Sequence, residues 1–192
     1  MKSIAKALLP LILIAVMILS AGCSSGFAEE GQYIIAARDV KDYINKQGVV
    51  IVDMQKAEEY AKGHLPGAVH IPLGEIVIDT PVPNMLASKD QIEKVLGDKG
   101  IDNNTMVVIY DHNNNMEAAR LWWTLQVYGH DNAKVVSGGL AALQAAKLEM
   151  STEAPVVSAV KYTAKDKDTS RMASFEEVKA QAEQPQKDTL LL

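Results

Sequence analysis

The chain has 192 residues, of which 48% are hydrophobic and 22% charged, a composition typical of a folded globular protein rather than of a disordered one. A net charge of −5 without an evident basic face argues against a nucleic-acid partner. Cys23 is the single cysteine, so an intramolecular disulfide is excluded. The length accommodates one domain of ordinary size with additional segments.

The N-terminal segment predicts export. A start with two lysines is followed by an apolar run at 7–21, which is short for a spanning helix because such a helix needs about 20 apolar residues. The sequence LSAGC around Cys23 resembles the lipobox of bacterial lipoproteins. We therefore expect residues 1–22 to be a lipoprotein signal peptide, Cys23 to be lipidated, and residues 23–32 to be a tether. The protein would then lie in the cell envelope, anchored to membrane lipid on the non-cytoplasmic side of a bacterial membrane; a retained signal anchor is the alternative.

Strands and helices alternate in the organised part of the chain. The β-branched runs at 49–54 and 106–111 are typical of strands buried on both faces. The alternation predicts an α/β fold with a mostly parallel central sheet and helices on both faces. The predicted elements in chain order are a helix ending at Gly48, a strand at 49–54, a helix ending at Gly63, a strand at 67–73, a helix at 88–100 capped by Ser88, a strand at 106–111, a helix at 116–129, a strand at 133–139 and a helix at 140–148.

The C-terminal part has a different pattern. Residues 151–173 are polar and mixed, which predicts a linker. Ser174 and Glu177 have the spacing of a capping box and predict a new helix, which leads into three leucines at the end of the chain. Segment 174–192 is therefore interpreted as the truncated start of a second unit.

A polar loop after the strand at 106–111 is the candidate site, because ligands in α/β proteins bind at the carboxyl ends of strands. An EF-hand is disfavoured, since its loop needs a glycine at the sixth position and a glutamate at the twelfth, where this chain has Met116 and Trp122. A phosphate loop is disfavoured because glycine is absent here. The histidines lack zinc spacing, so we predict no metal. The loop residues are Asp111, His112, Asn113, Asn114, Asn115 and Met116.

Residues 33–150 are identified as a rhodanese domain, because ordered blocks along about residues 33–148 resemble that family. The resemblance is closest to the N-terminal half of the tandem-domain thiosulfate and 3-mercaptopyruvate sulfurtransferases, and segment 174–192 is similar to the start of their second domain. The blocks are Asp53 in VVIVDM, Glu59 and Tyr60, the run GHLPGA at 63–68, the helix and strand at 85–111, GHDN at 129–132 and the Gly138–Gly139 pair.

In an active rhodanese domain a cysteine directly follows the central strand, and the loop stabilises a sulfur anion on it. Here Asp111 occupies that position, so the resemblance implies no catalytic residue and no sulfur transfer by this chain alone. It implies a second, cysteine-bearing rhodanese domain and small sulfur-containing substrates as partners, and no cofactor. A rhodanese-like phosphatase is excluded too, because it also needs the thiolate.

Each candidate residue keeps a structural alternative. Asp111 is expected to cap the following helix or to contact a ligand. Asp53, His64 and Arg120 are candidate cleft contacts, but they could instead satisfy loop amides, fix the turn before Pro66, or form a surface ion pair. The alternative functions are a membrane-tethered, non-catalytic rhodanese-fold binding module and a calcium- or metal-binding lipoprotein.

Overall fold

The computed structural model describes residues 31–186 and residue 188. The predicted signal peptide, the predicted lipidation site Cys23, nearly all of the predicted tether and the terminal leucines lie outside these residues. Within the described part of the chain, no helix is both long and apolar enough to cross a membrane.

The core of the domain is a five-stranded sheet in which all neighbouring strands are parallel, in the order β1 (Ile34–Ile35), β7 (Ala133–Val136), β6 (Met106–Tyr110), β2 (Val49–Asp53) and β3 (Val69–His70). The predicted α/β fold with a mostly parallel sheet is confirmed. Two further short strands form an antiparallel pair outside this sheet. They are β4 (Val77–Ile78) and β5 (Met85–Leu86).

Helices cover both faces of the sheet, as predicted. On one face Leu96 and Leu121 pack with Val107, and on the other Val40 and Leu143 pack with Val108. Val107 and Val108 are adjacent in a strand, so their side chains point to opposite faces. The helices are α1 (Ala57–Lys62), α2 (Leu73–Ile76), α3 (Lys89–Asp98), α4 (Met116–Val127), α5 (Gly139–Ala145) and α6 (Phe175–Glu183), with 3₁₀ helices at Ala37–Asp42 and Thr169–Arg171.

The strand register brings several loops to one edge of the sheet. Asp53, the last residue of β2, lies opposite Tyr110 at the end of β6 and opposite His70 at the end of β3. The candidate loop therefore starts beside the segments that follow β2 and β7, at the carboxyl edge where α/β proteins bind ligands.

The elements differ from the sequence prediction at several places, among them β1, for which no strand was predicted. The helix predicted to end at Gly48 is a 3₁₀ helix that stops at Asp42, because its buried residues Ala37 and Val40 are three apart, the 3₁₀ repeat, and Asn45 has a left-handed φ of 56°. The strand predicted at 67–73 is confined to β3, because α2 begins at Leu73, and no element was predicted for residues 74–87, where α2 continues and the β4–β5 hairpin forms.

The predicted linker is packed against the domain. Tyr162 and Ala164 are only 4% and 3% exposed, and both belong to the core on the side of the sheet that α3 and α4 cover. The backbone of Val160 donates to the carbonyl of Gly97 at 3.0 Å, and that of Lys165 donates to the carbonyl of Tyr128 at 3.0 Å. Its polar composition does not prevent this packing, because few buried side chains suffice to dock an extended segment whose backbone is hydrogen-bonded.

Candidate functional site

The candidate loop folds around the side chain of Asp111. Its Oδ1 accepts hydrogen bonds from the backbone N–H groups of Asn113 and Asn115, and Oδ2 accepts one from Ala118, all at 2.9 Å. The side chain is fully buried. Ala118 is the third residue of α4. The carboxylate of Asp111, which lies five residues before the start of this helix, therefore caps its N-terminus.

The three asparagines give the loop its shape. Asn114 and Asn115 have left-handed φ values of 55° and 65°, a conformation that asparagine tolerates better than most residues. The Asn113 side chain donates to Glu117 Oε1 at 3.1 Å. His112, Asn114 and Met116 are exposed, so the loop presents them outward while its carboxylate points inward.

Gly139, the first residue of α5, allows the backbone that follows β7 to approach this loop closely. A Cβ on Gly139 would lie 2.5 Å from the carbonyl oxygen of Asp111, and the φ of Gly139 is +53°. The next backbone N–H, that of Leu140, donates to the same carbonyl at 2.7 Å. The sequence marked the glycine pair only through family resemblance, and this contact supplies its physical reason.

Asp53 lies in the interior beneath the carboxyl edge. Its carboxylate accepts hydrogen bonds from the backbone N–H of Gln55 at 2.7 Å and from the Gln55 side chain at 2.8 Å. The neighbouring Tyr110 hydroxyl accepts a bond from the backbone of Leu65 at 2.9 Å. Burial, with the Asp53 carboxylate beside it, raises the pKa of the Tyr110 hydroxyl. The structure therefore gives Asp53 the structural role of ordering the turn after β2.

His64 is also buried, under the C-terminal segment. Its ring stacks on Tyr60 with centroids 3.9 Å apart, Nδ1 lies 2.9 Å from the Tyr60 carbonyl and Nε2 lies 3.0 Å from the Glu153 carbonyl. The backbones of His64 and Ser151 exchange two hydrogen bonds. These contacts fix the turn before Pro66 and hold the start of the C-terminal segment.

Arg120, the third candidate cleft residue, lines a cavity. Its Nη2 donates to the carbonyl of Asn84 at 2.7 Å and its guanidinium lies 4.8 Å from the centre of the Trp123 ring. Partial burial lowers the pKa of Arg120. The cavity has a volume of about 440 Å³ and lies beside the candidate loop.

The chemistry of the site follows from these contacts. Loop amides and a helix N-terminus normally suit an anion from outside, but here Asp111 already supplies one. The chain's single thiol, Cys23, lies outside the described residues. Among the described residues no group of three or more His, Cys, Asp or Glu side chains could hold a metal ion.

Comparison with protein families and curated proteins gives a consistent result. The family model of the rhodanese-like domain matches residues 36–146 of this chain. The chain is 32% identical over 136 residues to a putative thiosulfate sulfurtransferase of Saccharopolyspora erythraea, covering 70% of this chain and 48% of that protein. It is also 32% identical over 93 residues to the 3-mercaptopyruvate sulfurtransferase of Escherichia coli K12, covering 48% of this chain and 33% of that one. The chain thus spans half or less of these relatives.

Solved structures share the fold. The 3-mercaptopyruvate sulfotransferase of Escherichia coli superposes with a TM-score of 0.69 at 22% identity, over 79% of this chain and 62% of that one. An anaerobic ergothioneine biosynthesis enzyme of Chlorobium limicola gives a TM-score of 0.66 at 19% identity, over 82% of this chain and 43% of that enzyme. At these identities the likeness establishes the fold alone.

Proposed function

Because the chain belongs to the rhodanese-like domain family, we propose that it is the non-catalytic N-terminal domain of a tandem sulfurtransferase that uses thiosulfate or 3-mercaptopyruvate. In this role it shapes one wall of the active cleft, and a second rhodanese domain supplies the cysteine that accepts sulfur. The donor class is taken from the relatives, which are thiosulfate and 3-mercaptopyruvate sulfurtransferases by name.

The buried carboxylate of Asp111 is the observation that carries the non-catalytic role. Sulfur transfer through an enzyme persulfide needs a thiolate, and a carboxylate cannot accept and release a sulfane sulfur. Three backbone N–H groups already bind this carboxylate, so they have no free position for a sulfur anion. The loop keeps the architecture of an anion cradle while its own side chain fills it.

Exposed apolar side chains near the loop favour a partner domain on this side of the molecule. Met116 is 65% exposed at the start of α4, and Ile78 and Met85 are each 39% exposed on the β4–β5 hairpin. Asn84, next to Met85, lines the same cavity as Met116 and Arg120. Apolar side chains grouped around a cavity are suited to contact another protein surface.

The membrane attachment is a separate part of the proposal. Lipidation at Cys23, after cleavage of residues 1–22, would anchor the domain in the cell envelope on the non-cytoplasmic side of a bacterial membrane. Its support is the lipobox-like sequence LSAGC after a charged and then apolar segment.

Two measurements test the proposal. Purified, lipid-free chain is assayed for sulfur transfer from thiosulfate to cyanide and from 3-mercaptopyruvate to a thiol, and we expect no product above the protein-free rate. Turnover by this chain would overturn the non-catalytic role. The second measurement is the intact mass of the native protein extracted from membranes.

The mass of this chain is 20.8 kDa, from which the signal peptide is subtracted and to which the acyl chains are added. We expect the native mass to exceed this corrected value by the mass of one further domain, about 100–150 residues. A native mass without that domain would overturn the tandem arrangement. The function would then be that of a membrane-tethered binding module. Absence of acyl mass would separately overturn the lipid anchor.

A further inference from the structure

The cavity beside the candidate loop has walls of mixed character. It lies between the first two turns of α4, the start of α2 and the end of the hairpin loop before β5. Its volume of about 440 Å³ is in the range of small-molecule sites. The lining residues are Leu73, Asn84, Met116, Glu117 and Arg120.

Arg120 is held at this cavity without being neutralised. The Asn84 carbonyl and the Trp123 ring fix the position of its guanidinium, and neither of them is an anion. Within residues 31–186 it forms no ion pair, and its Nε has no hydrogen-bond partner there. A guanidinium fixed in this way is suited to bind a carboxylate.

Glu117 brings the opposite charge to the same cavity. Its Oε1 accepts the hydrogen bond from Asn113, while Oε2 is buried and has no hydrogen-bond partner in the described part of the chain. Glu117 and Arg120 are three residues apart on α4, which places their Cβ atoms about 5–6 Å apart. They nevertheless form no ion pair with each other.

We propose that this cavity binds a zwitterionic α-amino acid with an apolar side chain. Its carboxylate pairs with Arg120, its ammonium pairs with Glu117, and its side chain lies against Leu73 and Met116. A simple anion would pair with Arg120 but be repelled by Glu117. A simple cation would pair with Glu117 but be repelled by Arg120. One amino acid carries both of the charges that these two side chains can pair with. This surface also adjoins the region proposed above to contact a second domain, but every lining residue belongs to this domain, so ligand binding can be measured on this chain alone.

The two tryptophans of α4 provide a direct readout. Trp123 lies under the Arg120 guanidinium, whereas Trp122 packs against Tyr33 with ring centroids 5.0 Å apart and lines a different pocket. The full chain, labelled with ¹⁵N, is titrated with L-leucine and the indole N–H signals are followed by NMR. We expect a saturable shift of the Trp123 signal and a much smaller one of Trp122.

Matched ligands and variants separate this site from simpler ones. N-acetyl-L-leucine lacks the ammonium and L-leucinamide lacks the carboxylate, so each should bind at least about tenfold more weakly. Glu117→Gln and Arg120→Gln should each weaken L-leucine binding by a similar factor, while the remote controls Arg38→Gln and Glu176→Gln keep it. Dispersion of the amide spectrum verifies that each variant is folded.

Three results would overturn the proposal: no Trp123 shift at about 20 mM L-leucine, equal binding of the acetylated ligand, or unchanged binding by folded Arg120→Gln.

Discussion

At the scale of single residues, Asp111 ties the end of β6 to the first turn of α4. Replacing it with alanine leaves three backbone donors without their acceptor, the one of Ala118 buried and those of Asn113 and Asn115 half-buried. An unsatisfied buried donor costs about 1–3 kcal/mol, and water entering the vacated space offsets part of this. We expect Asp111→Ala to lower the free energy of unfolding by about 3 kcal/mol, measured by urea titration.

Acetate supplies the matching control. The hole left by the Asp111 side chain is lined by N–H groups and lies at a helix N-terminus, so a small carboxylate should bind there and restore part of the stability of Asp111→Ala. The wild type should gain less at the same ionic strength. His112→Ala, which removes an exposed neighbour, should stay within about 0.5 kcal/mol of the wild type. Equal stability of wild type and Asp111→Ala would contradict this role.

His130 makes stability depend on pH. It is 3% exposed, its Nε2 lies 3.0 Å from the Thr105 carbonyl, and burial lowers its pKa below the usual value of about 6.5. Because the folded state binds the proton less well than the unfolded state, this contribution is complete above about pH 6.5 and is lost as the pH falls through the lowered folded pKa.

His130→Gln retains a side-chain N–H donor but cannot titrate, so its stability should fall less than that of the wild type between about pH 7 and pH 5. Urea unfolding at several pH values measures the difference in slope. His112→Gln removes an exposed histidine as the control. Parallel curves for wild type and His130→Gln would show that the buried imidazole does not contribute.

At the scale of elements, the segment at 151–172 belongs energetically to the domain. The family match ends at residue 146, yet Tyr162 and Ala164 beyond it are buried in the core. Truncation after Met150 removes these side chains and the backbone bonds to Gly97 and Tyr128. We expect a loss of about 3 kcal/mol or more, since burial of a large aromatic side chain alone contributes on this order.

Truncation after Ala173 is the matched control for this prediction. It removes α6, which contains no buried residue and keeps Phe175 76% exposed. The free energy of unfolding should therefore change by less than about 0.5 kcal/mol. If both truncations have the same effect, the contacts of the 151–172 segment are not the source of the stability.

The strength of the local sequence signal explains which elements were predictable. The runs at 49–54 and 106–111 are continuous and β-branched, so β2 and β6 were identified within one residue. Ser88 and the Ser174–Glu177 capping box marked the starts of α3 and α6 through the hydrogen bonds that the structure contains. The docked segment at 151–172 was not predictable, because its backbone finds partners on distant helices rather than in a local repeat.

At the scale of the whole molecule, the position of the candidate site could be predicted from the topology, but its hydrogen bonds and packing contacts could not. The sequence located the loop after β6, since parallel strands bring their carboxyl ends together. It could not separate His64, enclosed by residues 151–153, from Arg120, which faces a cavity, because that difference depends on packing between segments far apart in sequence. The carboxylate at Asp111 was visible in the sequence, whereas its three amide donors required the fold.

The sheet order has a mechanical consequence. A load entering the described domain from its N-terminal end reaches the sheet through β1, an edge strand of two residues paired only with β7 among the described strands. Detaching β1 leaves the ladder between β6 and β2, and with it the candidate loop, intact. Under tension β1 can therefore detach from the sheet first, while the loop after β6 keeps its shape.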